Sequence, residues 1–151
     1  SEDTKLELFI ESCKSNHVDM AKLIFESIKN VIMPDHRLKD AIKRTAEWGH
    51  VKMLQYLNSL FNLQAMFPIM TLKDPRQYNQ YCNVDMQTND LFNAACRNCH
   101  YNATMWLSYL YWPNGKKMMM VLNAKFSYSG YERDLNEFLR NVREHLPKNN
   151  C

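Results

Sequence analysis

The residue types and spacing that suggest chemistry in this 151-residue chain are densest at Cys96-Arg97-Asn98-Cys99-His100. The C-x-x-C-H spacing lets two thiols join the haem vinyls while the histidine takes an axial position, and ten methionines could supply the second axial ligand. A structural zinc site from Cys96, Cys99, His100 and Cys82 is a second chemistry, because thiolates and imidazole are the ligands zinc prefers. Cys82 stands 14 residues upstream with no second Cys or His close by, which is not the spacing of a known finger. A vicinal redox pair would need a βαβ pattern around it, and none is present. Buried thiol packing as a small apolar group is the plainer reading, and Cys13 and Cys96 fit it.

His17, His50 and His100 could each act as a base, yet at repeat spacing they stand one unit apart and do not converge on one substrate. Their expected role is structural, with a ring nitrogen hydrogen-bonding backbone groups of the adjoining turn. No Ser-His-Asp or Cys-His pairing emerges, and carboxylates such as Glu132 and Asp134 read as first-turn charges at a helix N-terminus. Gly49, Gly115 and Gly130 are isolated, so neither a P-loop nor a dinucleotide fingerprint is present. A non-enzymatic protein without cofactor or bound metal is therefore expected.

The elements that position these residues are helices. With 3 glycines, 5 prolines and 46% hydrophobic residues, the chain has few breakers and enough apolar surface for one domain spanning residues 1–151. Aligning His17, His50 and His100 brings the sequence into register with itself. His17 and His50 are 33 residues apart; His50 and His100 are 50 apart, one period plus an insertion of about 17 residues between Phe61 and Asp90. Phe9, Ile42 and Phe92 then form an apolar column, and Cys13, Ala46 and Cys96 a column of small residues. Ile24, Leu57 and Leu107 make a second apolar column, with Ile28, Phe61 and Tyr111 a third. Helices are predicted near residues 5–14, 18–29, 37–47, 51–61, 90–98, 102–111, 116–125 and 132–145, with little or no strand. Gly49 suits the positive φ that ends the first helix of its pair.

Trp48-Gly49-His50-Val51-Lys52-Met53-Leu54-Gln55-Tyr56-Leu57 resembles the core of an ankyrin repeat, where a Gly-His turn precedes the apolar positions of the second helix. Asn16 to Ile24 and Cys99 to Leu107 are looser versions, and the three together span roughly half the chain. The Thr-Pro-Leu-His opening of that family is replaced by Glu7-Leu8-Phe9-Ile10, Asp40-Ala41-Ile42-Lys43 and Asp90-Leu91-Phe92-Asn93. The Gly/Asp-rich turn of the β-hairpin fingers is missing as well. The resemblance implies an all-α, ankyrin-like solenoid of about four helix pairs (units about 5–33, 37–61, 90–113 and 116–146), with the fingers reduced or absent and an insertion at 62–89. It is similar to the degenerate ankyrin-like arrays of large DNA viruses and intracellular bacteria, which implies a host protein as partner.

Three function classes follow. Stacked helix pairs offer an extended surface, so a protein–protein interaction module is favoured. The haem or metal protein described above is one alternative. Nucleic-acid binding is the other, through Lys116, Lys117 and Lys125 interleaved with Tyr111, Trp112, Phe126 and Tyr128. A net charge of +3 spread along the chain, with Asp134, Glu137 and Glu144 close behind, argues against it. Repeat arrays accept insertions in loops, often on the binding face, so partner contacts are expected from Phe67, Ile69, Met70, Tyr78 and Tyr81. The competing reading has the insertion cover the edge between the second and third units. An odd number of irregularly spaced cysteines suits a reducing compartment. No stretch of about 18 apolar residues and no charged-then-apolar leader is present, and the start at Ser1 rather than Met allows for a trimmed segment. A cytoplasmic protein without a membrane span is expected, in its own cell or a host.

Overall fold

The protein is described by a computed structural model over residues 1–30, 35–71 and 87–113. It is all-α. The helices are α1 (Glu2–Lys14), α2 (Val18–Ile28), α3 (His36–Glu47), α4 (Val51–Leu60), α5 (Leu63–Met66), α6 (Asp90–Arg97) and α7 (Tyr101–Tyr111). Six of them match the helices predicted up to residue 111 to within a few residues. The short α5 was not expected, and the helices predicted at 116–125 and 132–145 lie outside the described residues. Among the described residues the regular structure besides helix is one antiparallel ladder, β1 (Met70–Thr71) with β2 (Gln87–Thr88), which pairs Met70 with Thr88 and Thr71 with Gln87.

The helices come in pairs joined by a tight turn: α1 with α2, α3 with α4, and α6 with α7. The first helices form one row, α1 packing on α3 and α3 on α6, while α2 touches α4 and α4 touches α7 more lightly. The first row holds the centre of the core. Phe9, Ile42 and Phe92 are fully buried in it, and so are Cys13, Ala46 and Cys96. The small column allows close helix approach, and Thr45 uses that proximity to donate from Oγ1 to the Cys13 carbonyl at 3.4 Å as well as to its own helix at Ala41 (2.8 Å). In the second row Leu57 and Leu107 are fully buried, whereas Ile24, at the outer pair, is only half-buried.

Capping alternates in the same way. Each first-row helix starts at a side chain that accepts a backbone N–H: Ser1 from Thr4, Asp35 from Leu38, and Asn89 from Leu91 and Phe92. These residues satisfy amides that a helix start leaves open. The second-row helices begin at His17, His50 and His100, and none of these imidazoles caps its helix. No helix among the described residues is long and apolar enough to cross a membrane.

Candidate functional site

The three inter-helix turns share one geometry. The N–H of His17 donates to Ser12 O at 2.9 Å, that of His50 to Thr45 O at 3.1 Å, and that of His100 to Ala95 O at 3.0 Å. The preceding residue closes the inner ring: Asn16 N–H to Cys13 O (3.3 Å), Gly49 to Ala46 (3.1 Å) and Cys99 to Cys96 (3.0 Å). This is the Schellman helix ending, and it needs a left-handed residue just past the C-cap. Asn16, Gly49 and Cys99 supply it, with φ of 59°, 71° and 57°. Each histidine then turns the chain, its carbonyl accepting the first helical hydrogen bond of the next helix, from the N–H of Ala21, Leu54 or Thr104 at 2.9–3.0 Å.

The imidazoles do something other than the expected backbone hydrogen bonding. Among the described residues no ring nitrogen of His17, His50 or His100 makes a hydrogen bond, and the backbone alone satisfies the turn. The His100 ring lies against the α-carbon of Gly49 in the neighbouring turn. His50 meets the Trp48 indole edge-on, with ring centroids 6.0 Å apart. His50 titrates below the ordinary histidine range, chiefly because partial burial penalises the cation and secondly because the His100 imidazole is close by. The unfolded chain therefore takes up this proton first as pH falls. The stability linked to His50 is complete above the ordinary value of 6.5 and is lost as pH drops below it toward the folded value. The melting temperature should thus fall between about pH 7.5 and about pH 5.5, and His100→Ala should make that fall shallower.

The Cys96-Cys99-His100 triplet is divided between core and turn. Cys96 is fully buried, and burial pushes its thiol up to about 12, so it has neither an exposed face for a haem vinyl nor thiolate character at neutral pH. Cys13 is likewise held at about 12 by burial. Cys99 is the left-handed residue of its turn, which accounts for its alignment with Gly49 and Asn16. A left-handed conformation costs a side-chain-bearing residue about 1–2 kcal/mol, so Cys99→Gly should raise stability by about 0.5–1 kcal/mol after the entropic cost of glycine. Chemical denaturation measures this directly. Among the described residues no group of three or more His, Cys, Asp or Glu is arranged to hold a metal ion; Cys82 lies outside them.

The expected partner-contact residues separate. Phe67 is a core residue at 7% exposure, a correction to its expected place on the surface. Its carbonyl accepts from Asn89 Nδ2 at 2.8 Å and from the Tyr111 hydroxyl at 2.7 Å, and it follows α5, whose Leu63 is fully buried. Tyr111 also donates to Leu63 O (3.1 Å), and Gln64 Nε2 reaches Leu110 O (3.1 Å). The start of the insertion therefore covers the edge of the third pair. Ile69 and Met70 emerge from this anchored stretch at 38% and 40% exposure. Tyr78 and Tyr81 lie outside the described residues.

Of the cation–aromatic set, Tyr111 and Trp112 are 5% exposed and packed ring to ring, so they offer no free face for stacking a base. Lys116, Lys117, Lys125, Phe126 and Tyr128 lie outside the described residues. Asn89 and α5 escaped the sequence reading. Asn89 immediately before an apolar run is a helix-start signal, whereas nothing local marks its bonds to the Phe67 and Pro68 carbonyls more than 20 residues away. No protein-family profile, curated protein or solved structure matches the chain.

Proposed function

We propose that the chain is a non-enzymatic protein–protein interaction module built as an ankyrin-like array of helix pairs. The observation that carries this reading is the threefold recurrence of one left-handed turn, at Asn16, Gly49 and Cys99, between helices that stack in two rows. Such an array presents a long surface rather than an enclosed site, and its binding specificity lies in side chains displayed at fixed spacing. Ile69 and Met70 are the apolar pair to which we assign partner contact. They are exposed while the backbone before them is tied down by Asn89 and Tyr111, so little ordering entropy is lost on binding. The free thiols of Cys13 and Cys96 suit a reducing cytoplasm. A host protein as the partner rests on the family resemblance.

The test compares two baits in cell lysate, the wild type and Ile69→Asp with Met70→Asp. Proteins retained by the wild type and lost by the variant, at an unchanged melting temperature, support the module. Identical retention on both baits overturns the assignment of the apolar pair. An absorbance scan for a Soret band together with elemental analysis checks the haem and zinc alternatives on the same preparation.

A further inference from the structure

We propose that the groove between α2 and α4 binds an acidic peptide segment of a protein partner, an assignment that rests on the interaction-module reading. Because the second-row helices touch only lightly, an open groove of about 1110 Å³ runs between them, lined by His17, Lys22, Lys52, Gln55, Tyr56 and Ser59 among others. Small-molecule sites typically measure about 300–1,000 Å³ and enclose their ligand, so a larger open groove suits a peptide.

Charge selects the kind of peptide. Lys22 and Lys52 come from the two opposite walls, and neither has a carboxylate partner among the described residues, unlike Lys14, Lys29 and Arg37. The acid on the described lining is Asp19, in the first turn of α2, where it complements that helix's own N-terminus. Glu26, farther along α2, is engaged with Lys29 at 3.0 Å. Two ammonium groups are thus left facing the groove. Gln55 adds a donor and an acceptor of the kind that pair with peptide N–H and C=O groups, and Ser59, whose hydroxyl donates to the Tyr56 carbonyl of its own helix, adds an acceptor. The Lys22 ammonium sits 5.7 Å from the centroid of the Tyr56 ring and covers one face of it. That contact places the ammonium beside the groove and takes up one face of the ring, leaving less of the tyrosine for a base to stack on, so a peptide carboxylate is favoured over a nucleic acid.

The experiment titrates the full chain into fluorescein-labelled hexaglutamate and follows anisotropy at about 50 mM salt, where surface charges are weakly screened. Saturable binding is expected. Lys22→Glu with Lys52→Glu should weaken it by at least about tenfold, and Lys22→Gln with Lys52→Gln by less, since charge reversal adds repulsion to the lost attraction. Both exchanged positions are exposed, so the melting temperature should not move; should the reversal variant unfold, the glutamine variant decides. No binding, equal binding by the variants, or tighter binding of a 5′-phosphorylated hexathymidylate overturns the proposal. The same lysine variants used as baits separate the two readings. Partners retained through Ile69 and Met70 and indifferent to the lysines leave the interaction module standing and remove the groove from it.

Discussion

Replacing Gly49 with alanine is expected to destabilise the protein by about 1.5–4 kcal/mol, from two independent penalties that meet at one carbon atom. The first is conformational. With φ at 71°, an alanine here pays roughly 1–2 kcal/mol for a left-handed backbone, of which the lost entropic cost of glycine returns about 0.5–1 kcal/mol. The second is steric and comes from the next helix pair. A β-carbon on residue 49 would meet the Cγ of His100 and lie 2.6 Å from its Nδ1 and 2.7 Å from its Cβ. The imidazole tip could swing away, but the His100 β-carbon is fixed by a backbone bonded at both N–H and C=O. Overpacking of this kind typically costs about 1–3 kcal/mol. A double-mutant cycle with His100→Ala measures the ring's share of the steric penalty, since alanine keeps the β-carbon. Removing the ring should recover about 1 kcal/mol or more of the Gly49→Ala loss, and a coupling below about 0.5 kcal/mol would show that the rings and the glycine do not touch. Asn16 and Cys99 hold the same φ with side chains attached, so their turns pay only the first penalty.

That comparison also shows what the sequence made legible. The register through His17, His50 and His100 locates the turns and six helices, because a buried apolar stripe and a helix ending both leave local, periodic marks. Cys99 looks anomalous beside Cys96 and His100 only while it is read as a ligand. Read as the residue past a C-cap, it follows the same column as Gly49. The histidines were harder to read. Residue type reveals that an imidazole can donate and accept, not that its ring will rest on a neighbouring glycine, which is a contact across 51 residues. Phe67 beside Pro68 has the composition of an exposed apolar run, and composition does not say which helix comes to cover it. The α2–α4 groove is also invisible in sequence, since it exists because two helices touch lightly. Its lysines are spaced as ordinary solvated residues are.

Asn89→Ala is the second large effect, about 1–3 kcal/mol, because one fully buried side chain serves two elements that are remote in sequence. Its Oδ1 accepts the N–H groups of Leu91 (3.0 Å) and Phe92 (3.1 Å), and losing such a cap costs about 0.5–2 kcal/mol. Its Nδ2 donates to Phe67 O (2.8 Å) and to the part-buried Pro68 O (3.3 Å); because Tyr111 still serves the Phe67 carbonyl, this loss adds only about 0.5–1.5 kcal/mol. Asn89→Asp isolates the two roles, keeping the cap while turning a carboxylate toward the two carbonyls. Tyr111 shares the Phe67 carbonyl. Burial pushes its hydroxyl up to about 12, so it remains a donor throughout the physiological range. With either side chain present the Phe67 carbonyl is satisfied, and only the pair Asn89→Ala with Tyr111→Phe orphans it. The double variant should therefore lose more than the sum of the singles, by about 0.5–3 kcal/mol. Denaturant unfolding gives that excess, and hydrogen exchange at the Leu91 and Phe92 amides reports the cap separately. If those amides stayed protected in Asn89→Ala and stability moved by less than about 0.5 kcal/mol, the anchoring of Ile69 and Met70 would have to come from elsewhere. If exchange rose and Met70 oxidised faster in the double variant than in either single, the clamp would be what holds Ile69 and Met70 in place.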